Sequence, residues 1–361
     1  MATLRKRLNL TMNVCRLFGL GLEPDDAAAT VVDTLIFLGN LLYSAYGFDH
    51  VTSVVQQRMP LIWDITTVMS VAKVYTYLLT PPVMLITWQC NKRSLTDVVL
   101  TVGRAAVTDK PASLMPFFWY SVAWLCMSVL IEFAAYTMFH LDTNFVYFSF
   151  TEYTRLAVYN VWMKVPLLMY TFLLDAIRTS VRDINVRLIT VADWWSYRGR
   201  WDDLRWAAVH QTRDLFGVTI ITFIVNTIIE IVFFGFSLCL FAFRNDHVDT
   251  FQVIIYAVNG LYSLCWMIEL IRMTKNCKLE LLKTQKILNS ININLNNSDY
   301  KQVEKYNLIK YIMMKYTYLY MLHADLDFMP CNIFEMDYRN LISIITLVSA
   351  FLIFQIQMKL T

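Results

Sequence analysis

The chain has 361 residues, 57% of them hydrophobic and 16% charged, with a formal net charge of +3. So apolar a composition, with so little charge to solvate a surface, excludes an ordinary soluble protein of this length. A bilayer is the solvent that fits it.

Residues 1–29 come first, where the weakly apolar run from Leu8 to Leu22 is interrupted by Asn9, Asn13 and Arg16 and followed by acidic residues. This segment reads as an amphipathic helix on the inner membrane surface rather than a cleavable signal. A spanning helix takes about 20 largely apolar residues, and seven stretches qualify: 30–46, 61–88, 114–139, 153–177, 215–243, 251–273 and 341–358. The runs are long and continuous rather than ten-residue alternations, which excludes a transmembrane β-barrel. The expected fold class is therefore all-α, a polytopic membrane protein with seven transmembrane helices.

Orientation follows from Lys and Arg, which concentrate in cytoplasmic loops. Arg5, Lys6, Arg7 and Arg16 precede the first span, and Lys92, Arg93, Arg104 and Lys110 follow the second. After the fourth come Arg178, Arg182, Arg187, Arg198, Arg200, Arg205 and Arg213, and after the sixth a lysine series from Lys275 to Lys315. The alternate segments carry Arg58, Arg155 and Arg244, one each. The N-terminus is expected in the cytoplasm and the C-terminus outside the cell, the reverse of a G-protein-coupled receptor. The seven cysteines fall in spans or on the inner side, so no extracellular disulfide is drawn from them. The sequons at Asn9 and Asn296 are likewise placed inside and unused.

Two inner segments are too long for simple connectors. Residues 178–214 read as helical continuations of the fourth and fifth spans, with Trp194, Trp195, Trp201 and Trp206 as apolar surface to bury. Within 274–337, a helical pattern through Leu281, Leu282, Ile287 and Leu288 is expected to end in a polar loop at 289–299, before a second helix through Tyr306, Ile309, Ile312 and Met313. Together these segments suggest a cytoplasmic helical anchor suited to holding subunits together. The terminal segment, 338–361, sets Ser343, Thr346, Ser349, Gln355 and Gln357 into Leu, Ile, Val, Ala and Phe. Hydroxyls and amides in a terminal span suggest a helix that faces water.

Asn332 to Ile356 resembles the end of insect gustatory and odorant receptors, whose last span carries Thr-Tyr, five hydrophobic residues and Gln-Phe. Gln355 matches the glutamine, whereas Val348 and Ser349 stand in place of Thr-Tyr and Ile356 in place of Phe. The expected orientation and the basic inner segments are similar too, as is the stretch 204–236 with His210 and Asn226. The resemblance implies a gustatory receptor of the insect type. That is a ligand-gated, non-selective cation channel in the plasma membrane of a sensory neuron, a homotetramer or a hetero-oligomer with related receptors. Its seventh spans would line a central pore, with Ser349, Leu352, Gln355 and Ile356 carried over as pore and gate. A ring of Leu352 and Ile356 would close by dewetting, and uncharged hydroxyls and amides would give weak cation selectivity. Ser349, Leu352 and Ile356 share one helical face, while Ser343, Thr346 and Gln357 lie about a third of a turn away, so two faces compete for the pore. Small and hydroxyl residues also serve plain helix packing.

Ionisable groups inside a bilayer cost about 2.5–3.5 kcal/mol each at its centre unless paired or hydrated, which makes them candidates for ligand contact. Asp64, Glu132, Lys164 and Glu230 lie in the outer halves of their spans, among Trp63, Tyr136, Tyr159, Asn160, Trp162, Phe234, Tyr256 and Asn259. Such a cavity suits a small plant-derived tastant, a bitter secondary metabolite rather than a sugar, stacking on rings and pairing a cationic nitrogen with Glu132 or Glu230. The plainer reading makes the aromatics an interface belt and Lys164 half of a structural ion pair.

Nothing points to an enzyme: the five histidines show no metal-ligand spacing, and there is no phosphate-binding loop. No cofactor or metal is expected. The basic inner surface is explained by orientation and anionic lipid, without nucleic acid. A metabotropic seven-span receptor and a secondary transporter remain as alternatives; the orientation opposes the first, and the two halves show no paired broken helices for the second.

Overall fold

The computed structural model describes residues 27–58, 65–105, 150–191, 195–244, 250–297, 326–333 and 335–360, with scattered helical positions at 123–134 and one at 316. Among these residues every regular element is helical: α1 (Ala27–Arg58), α2 (Ile65–Ala105), α3 (Phe150–Val191), α4 (Trp195–Trp206), α5 (Thr212–Arg244), α6 (Thr250–Asn297) and α7 (Tyr338–Leu360). A π-turn, Ala207–Gln211, joins α4 to α5, and a 3₁₀ turn, Pro330–Asn332, precedes α7. Six of the expected apolar runs coincide with α1, α2, α3, α5, α6 and α7, while 114–139 falls almost wholly outside the described residues.

Length decides how these helices are used. At about 1.5 Å per residue, the 42 residues of α3 and 48 of α6 are roughly twice as long as a hydrocarbon core is thick. Each has an apolar end and a basic end. Among the described residues, Val31–His50 and Ser196–Val232 are long and apolar enough to cross a membrane by length and composition, and Tyr338–Phe351 is apolar but shorter. The other runs carry buried ionisable residues such as Lys164 and Asp175.

The core is the packing of α3, α5 and α6, with α2 lying against α3 and α5. Phe216 of α5 anchors it, edge-on to Trp88 at 6.0 Å and tilted on Tyr170 at 5.4 Å. The Tyr170 hydroxyl meets Thr274 Oγ1 at 3.1 Å, linking α3 to α6. At the outer edge α1 packs on α2 and is tied to it by Lys92 and Asp33, 3.6 Å apart. Val31, Leu35, Leu38 and Leu42 on α1 stay exposed. An apolar face of this kind is penalised in water and suits lipid or a neighbouring subunit.

The basic ends are held by polar bonds instead. Trp201 of α4 donates its indole N–H to Thr284 Oγ1 at 3.1 Å; that hydroxyl donates to Asn185 Oδ1 at 2.7 Å, and Asn185 Nδ2 donates to the Glu280 carbonyl at 3.0 Å. All of Trp201, Asn185 and Thr284 are buried, so the network is dry and satisfied. Burial also pushes the nearby Cys277 thiol up to about 12, leaving it protonated and inert.

One expectation fails here. The polar stretch at 289–299 does not end the helix, because α6 continues through Asn297. Asn lowers helix propensity only modestly, the stretch contains neither Gly nor Pro, and extending a formed helix avoids the cost of nucleation. The helix anticipated at Tyr306 to Met313 lies outside the described residues. The described parts of the continuation, 178–191 and 195–214, are helical, with the π-turn as an added detail: the Trp206 and His210 rings meet across it, tilted, with centres 4.2 Å apart.

Candidate functional site

Two regions bear on function, a buried polar and aromatic cluster among α1, α3, α5 and α6, and the last helix with the turn that starts it.

In the cluster, Tyr159 of α3 is fully buried, donates its hydroxyl to the Tyr43 carbonyl of α1 at 3.2 Å and meets that ring edge-on at 5.8 Å. Trp162 follows one turn later, 6.2 Å from Tyr159 ring to ring. Lys164, 1% exposed, sets its ammonium 4.7 Å above the Tyr262 ring of α6. A cation over an aromatic face regains part of the solvation that burial removes. The next residue, Ser263, donates to Glu230 Oε2 of α5. Asn259 lies half-buried one turn before Ser263. Of the sequence-derived set, Lys164 and Glu230 each reach α6, at Tyr262 and Ser263, and Asn259 lies on that helix, whereas Tyr159 contacts α1 and Trp162, two residues from Lys164, lies on the opposite side of α3 from it. Asn160, Phe234 and Tyr256 sit on α3, α5 and α6, with side chains outside those described; Trp63, Asp64, Glu132 and Tyr136 lie outside the described residues.

Sequence reasoning missed Tyr262, Ser263 and Asn226 as members of this cluster. Asn226 lies one turn before Glu230 on α5 and is completely buried. The available signal was its spacing of four from an intramembrane glutamate, which places both on one helix face.

The last helix is held differently. Among its described side chains, Leu341 and Val348 are buried, with Ile344 packed partly against the core. Ile342, Leu347, Phe351, Ile353 and Phe354 are exposed, Leu347 at 71%. Ser343, Thr346 and Ser349 are exposed too, each donating to the carbonyl four residues earlier at 3.0, 2.8 and 2.8 Å. Leu352, Gln355 and Ile356 lie on α7 with side chains outside those described. Both competing faces therefore present exposed hydroxyls.

The base of α7 is clamped. Lys278 of α6 donates to Asp327 Oδ1 at 2.7 Å and Glu335 Oε1 at 2.5 Å, bridging the two ends of the preceding turn. Burial alone would lower the Lys278 ammonium, but the hydrogen bonds and charges of the two carboxylates outweigh it and hold it above its usual value. Lys275 lies 4.9 Å over the Tyr338 ring, and Ile224, Met267 and Ile271 form an apolar crevice with Met336, Leu341 and Ile344. Between them Cys331 takes a positive φ of 49°, a left-handed turn rare outside glycine and asparagine, and presses on Gly217 of α5. Helix α5 thus touches both regions, through Asn226 and Glu230 on one side and Ile224 and Gly217 on the other. Among the described residues no cluster of His, Cys, Asp or Glu could hold a metal ion.

This all-helical arrangement is similar in fold to a solved insect olfactory receptor. The chain is similar over its length to the insect olfactory receptor OR5 from Machilis hrabei, with a TM-score of 0.65, 12% identity, and 98% of this chain and 97% of that one covered. The same receptor in complex with eugenol gives a TM-score of 0.65 and 12% identity, covering 98% of each chain. No protein-family model matches the sequence, and no characterised protein matches it by sequence.

Proposed function

We propose that the chain is an insect gustatory receptor, a ligand-gated non-selective cation channel in the plasma membrane of a sensory neuron. In this reading seven spans run from a cytoplasmic N-terminus to an extracellular C-terminus, and four copies place α7 around one pore. Ser349, Leu352, Gln355 and Ile356 form its outer, gated end. The observation that carries the proposal is the attachment of α7: one narrow strip joins it to the body, while hydroxyls and large apolar side chains remain exposed on its other faces. Such a helix is incomplete in a single chain and complete in a ring. The full-length likeness to a receptor fold supports it.

The ligand is a small plant-derived tastant, a bitter secondary metabolite rather than a sugar, bound at the junction of α3, α5 and α6. The buried rings of Tyr159 and Trp162 and the polar groups of Lys164, Glu230 and Asn259 suit an aromatic compound with one or two hydrogen-bonding groups. That the similar receptor was solved with eugenol, itself a small aromatic, supports a ligand of this size.

Whole-cell current from the chain expressed alone tests the channel reading, with alkaloids, phenols, glycosides and sugars applied while G-protein signalling is blocked. Rapid inward cation current is expected. A response abolished by the block would refute it, and a current restored by a related receptor would make the assembly a hetero-oligomer. Replacing Leu352 or Ile356 by Ser should raise ligand-free current by wetting the constriction; unchanged basal current in both would move the gate elsewhere.

A further inference from the structure

We propose that Asn226, together with Glu230 and Ser263, forms a hydroxyl-binding subsite inside the helix bundle, occupied by water or by the hydroxyl of a small ligand. The ligand case rests on the receptor reading above; the water case does not.

Asn226 is 0% exposed, and neither its Oδ1 nor its Nδ2 has a hydrogen-bond partner among the described residues. An amide in apolar surroundings loses its water and needs a replacement, and buried polar side chains in folded proteins nearly always have one. Its neighbours on α5 make no such demand. Thr227 donates to the Phe223 carbonyl at 2.9 Å and Thr222 to the Val218 carbonyl at 2.8 Å, while Phe223 and Ile224 are apolar and buried. One turn on, about 6 Å along the axis, Glu230 is also buried and receives the Ser263 hydroxyl. The face therefore carries an amide with a donor and an acceptor both to fill, beside a carboxyl that Ser263 engages.

That donor set selects its occupant. A purely accepting group would leave Oδ1 unpaired, a purely donating one would leave Nδ2 unpaired, and an anion would meet the Glu230 carboxyl. A hydroxyl donates and accepts at once and meets each condition. Water supplies it, and so does a phenol or alcohol on an aromatic ligand seated beside Tyr159 and Trp162.

The test is cryo-electron microscopy of the full chain, at a resolution that shows water, without ligand and with eugenol as the phenolic probe. Melting temperatures of wild type, Asn226→Leu and the lipid-side control Val225→Leu would be read with and without eugenol. Density within hydrogen-bond distance of both amide atoms that persists in both structures makes the subsite a water site. Density continuous with eugenol makes it a ligand subsite, provided Asn226→Leu weakens eugenol about tenfold, the worth of one hydrogen bond, while Val225→Leu does not. If Asn226→Leu fails to fold, Asn226→Ser, which keeps a hydroxyl, takes its place. An amide that bonds to protein groups, or that shows no density in either structure, overturns the proposal. Water there in a chain that gives no ligand-evoked current would leave the subsite standing and the receptor reading fallen.

Discussion

The packed junction of α3, α5 and α6 and the terminal helix α7 are built from similar residues to different ends. In the junction, Leu167, Met169, Leu174 and Ile177 on one helix and Phe216, Phe223 and Leu270 on the others are sealed. Even Lys164, Asp175 and Glu230 are enclosed there. On α7 the adjacent pair Leu347 and Val348 are 71% and 5% exposed, so the helix buries one strip and leaves the rest. The first region gets its stability from within the chain. The second needs lipid, water or other copies beyond its buried strip and the clamp at its base.

The largest test of that division is the polar network at the basic ends of α3 and α6. Trp201→Ala should destabilise the chain by about 3–5 kcal/mol, because it opens a cavity and strips Thr284 of its donor. Loss of folded protein in detergent is the readout, and a melting temperature close to wild type would mean the network does not brace the bundle. Next is the contact joining the two regions. A Cβ at Gly217 would lie 2.7 Å from Cys331 Sγ and 2.8 Å from its backbone nitrogen, too close for either atom. Gly217→Ala is therefore expected to cost about 2 kcal/mol despite its better helix propensity, with faster amide exchange in residues 326–341; unchanged exchange would break the link.

Within α7 the comparison sharpens to neighbouring positions. Val348→Ala should lower the stability of the subunit by about 1.5 kcal/mol, whereas Leu347→Ala should leave it unaltered and weaken oligomers measured by native mass spectrometry. Equal effects on both quantities would mean α7 is not split between body and assembly. The smallest effect belongs to Asp202, 3.8 Å from Arg198. Burial raises its carboxyl above the ordinary 3.8, more than Arg205 and Arg198 lower it. A raised carboxyl is protonated more readily in the folded chain, so stability falls as pH rises through its range. Asp202→Asn should melt slightly above wild type at neutral pH, with the gap closing toward about pH 4; a constant gap would show the cause is not titration.

The helices were legible because long unbroken apolar runs leave few alternatives, and α1, α2, α3, α5, α6 and α7 fall on them. The misreading at 289–297 came from composition: six polar residues suggest a loop, but a helix already running keeps going without a breaker. Tyr159, Trp162, Lys164 and Glu230 stood out in sequence because rings and charges are conspicuous in a bilayer. Ser263 and Asn226 did not, since a lone small polar residue in an apolar helix looks like packing. The Lys278 clamp was out of reach, because its partners lie 49 and 57 residues away and meet it through a turn with no repeating pattern.

The central claim is that α7 is completed by other copies of this chain around a shared pore. Single-particle imaging of the solubilised full chain tests it most directly. Four copies with α7 lining the symmetry axis are predicted, and a monomer, or an assembly with α7 turned outward to detergent, would contradict it.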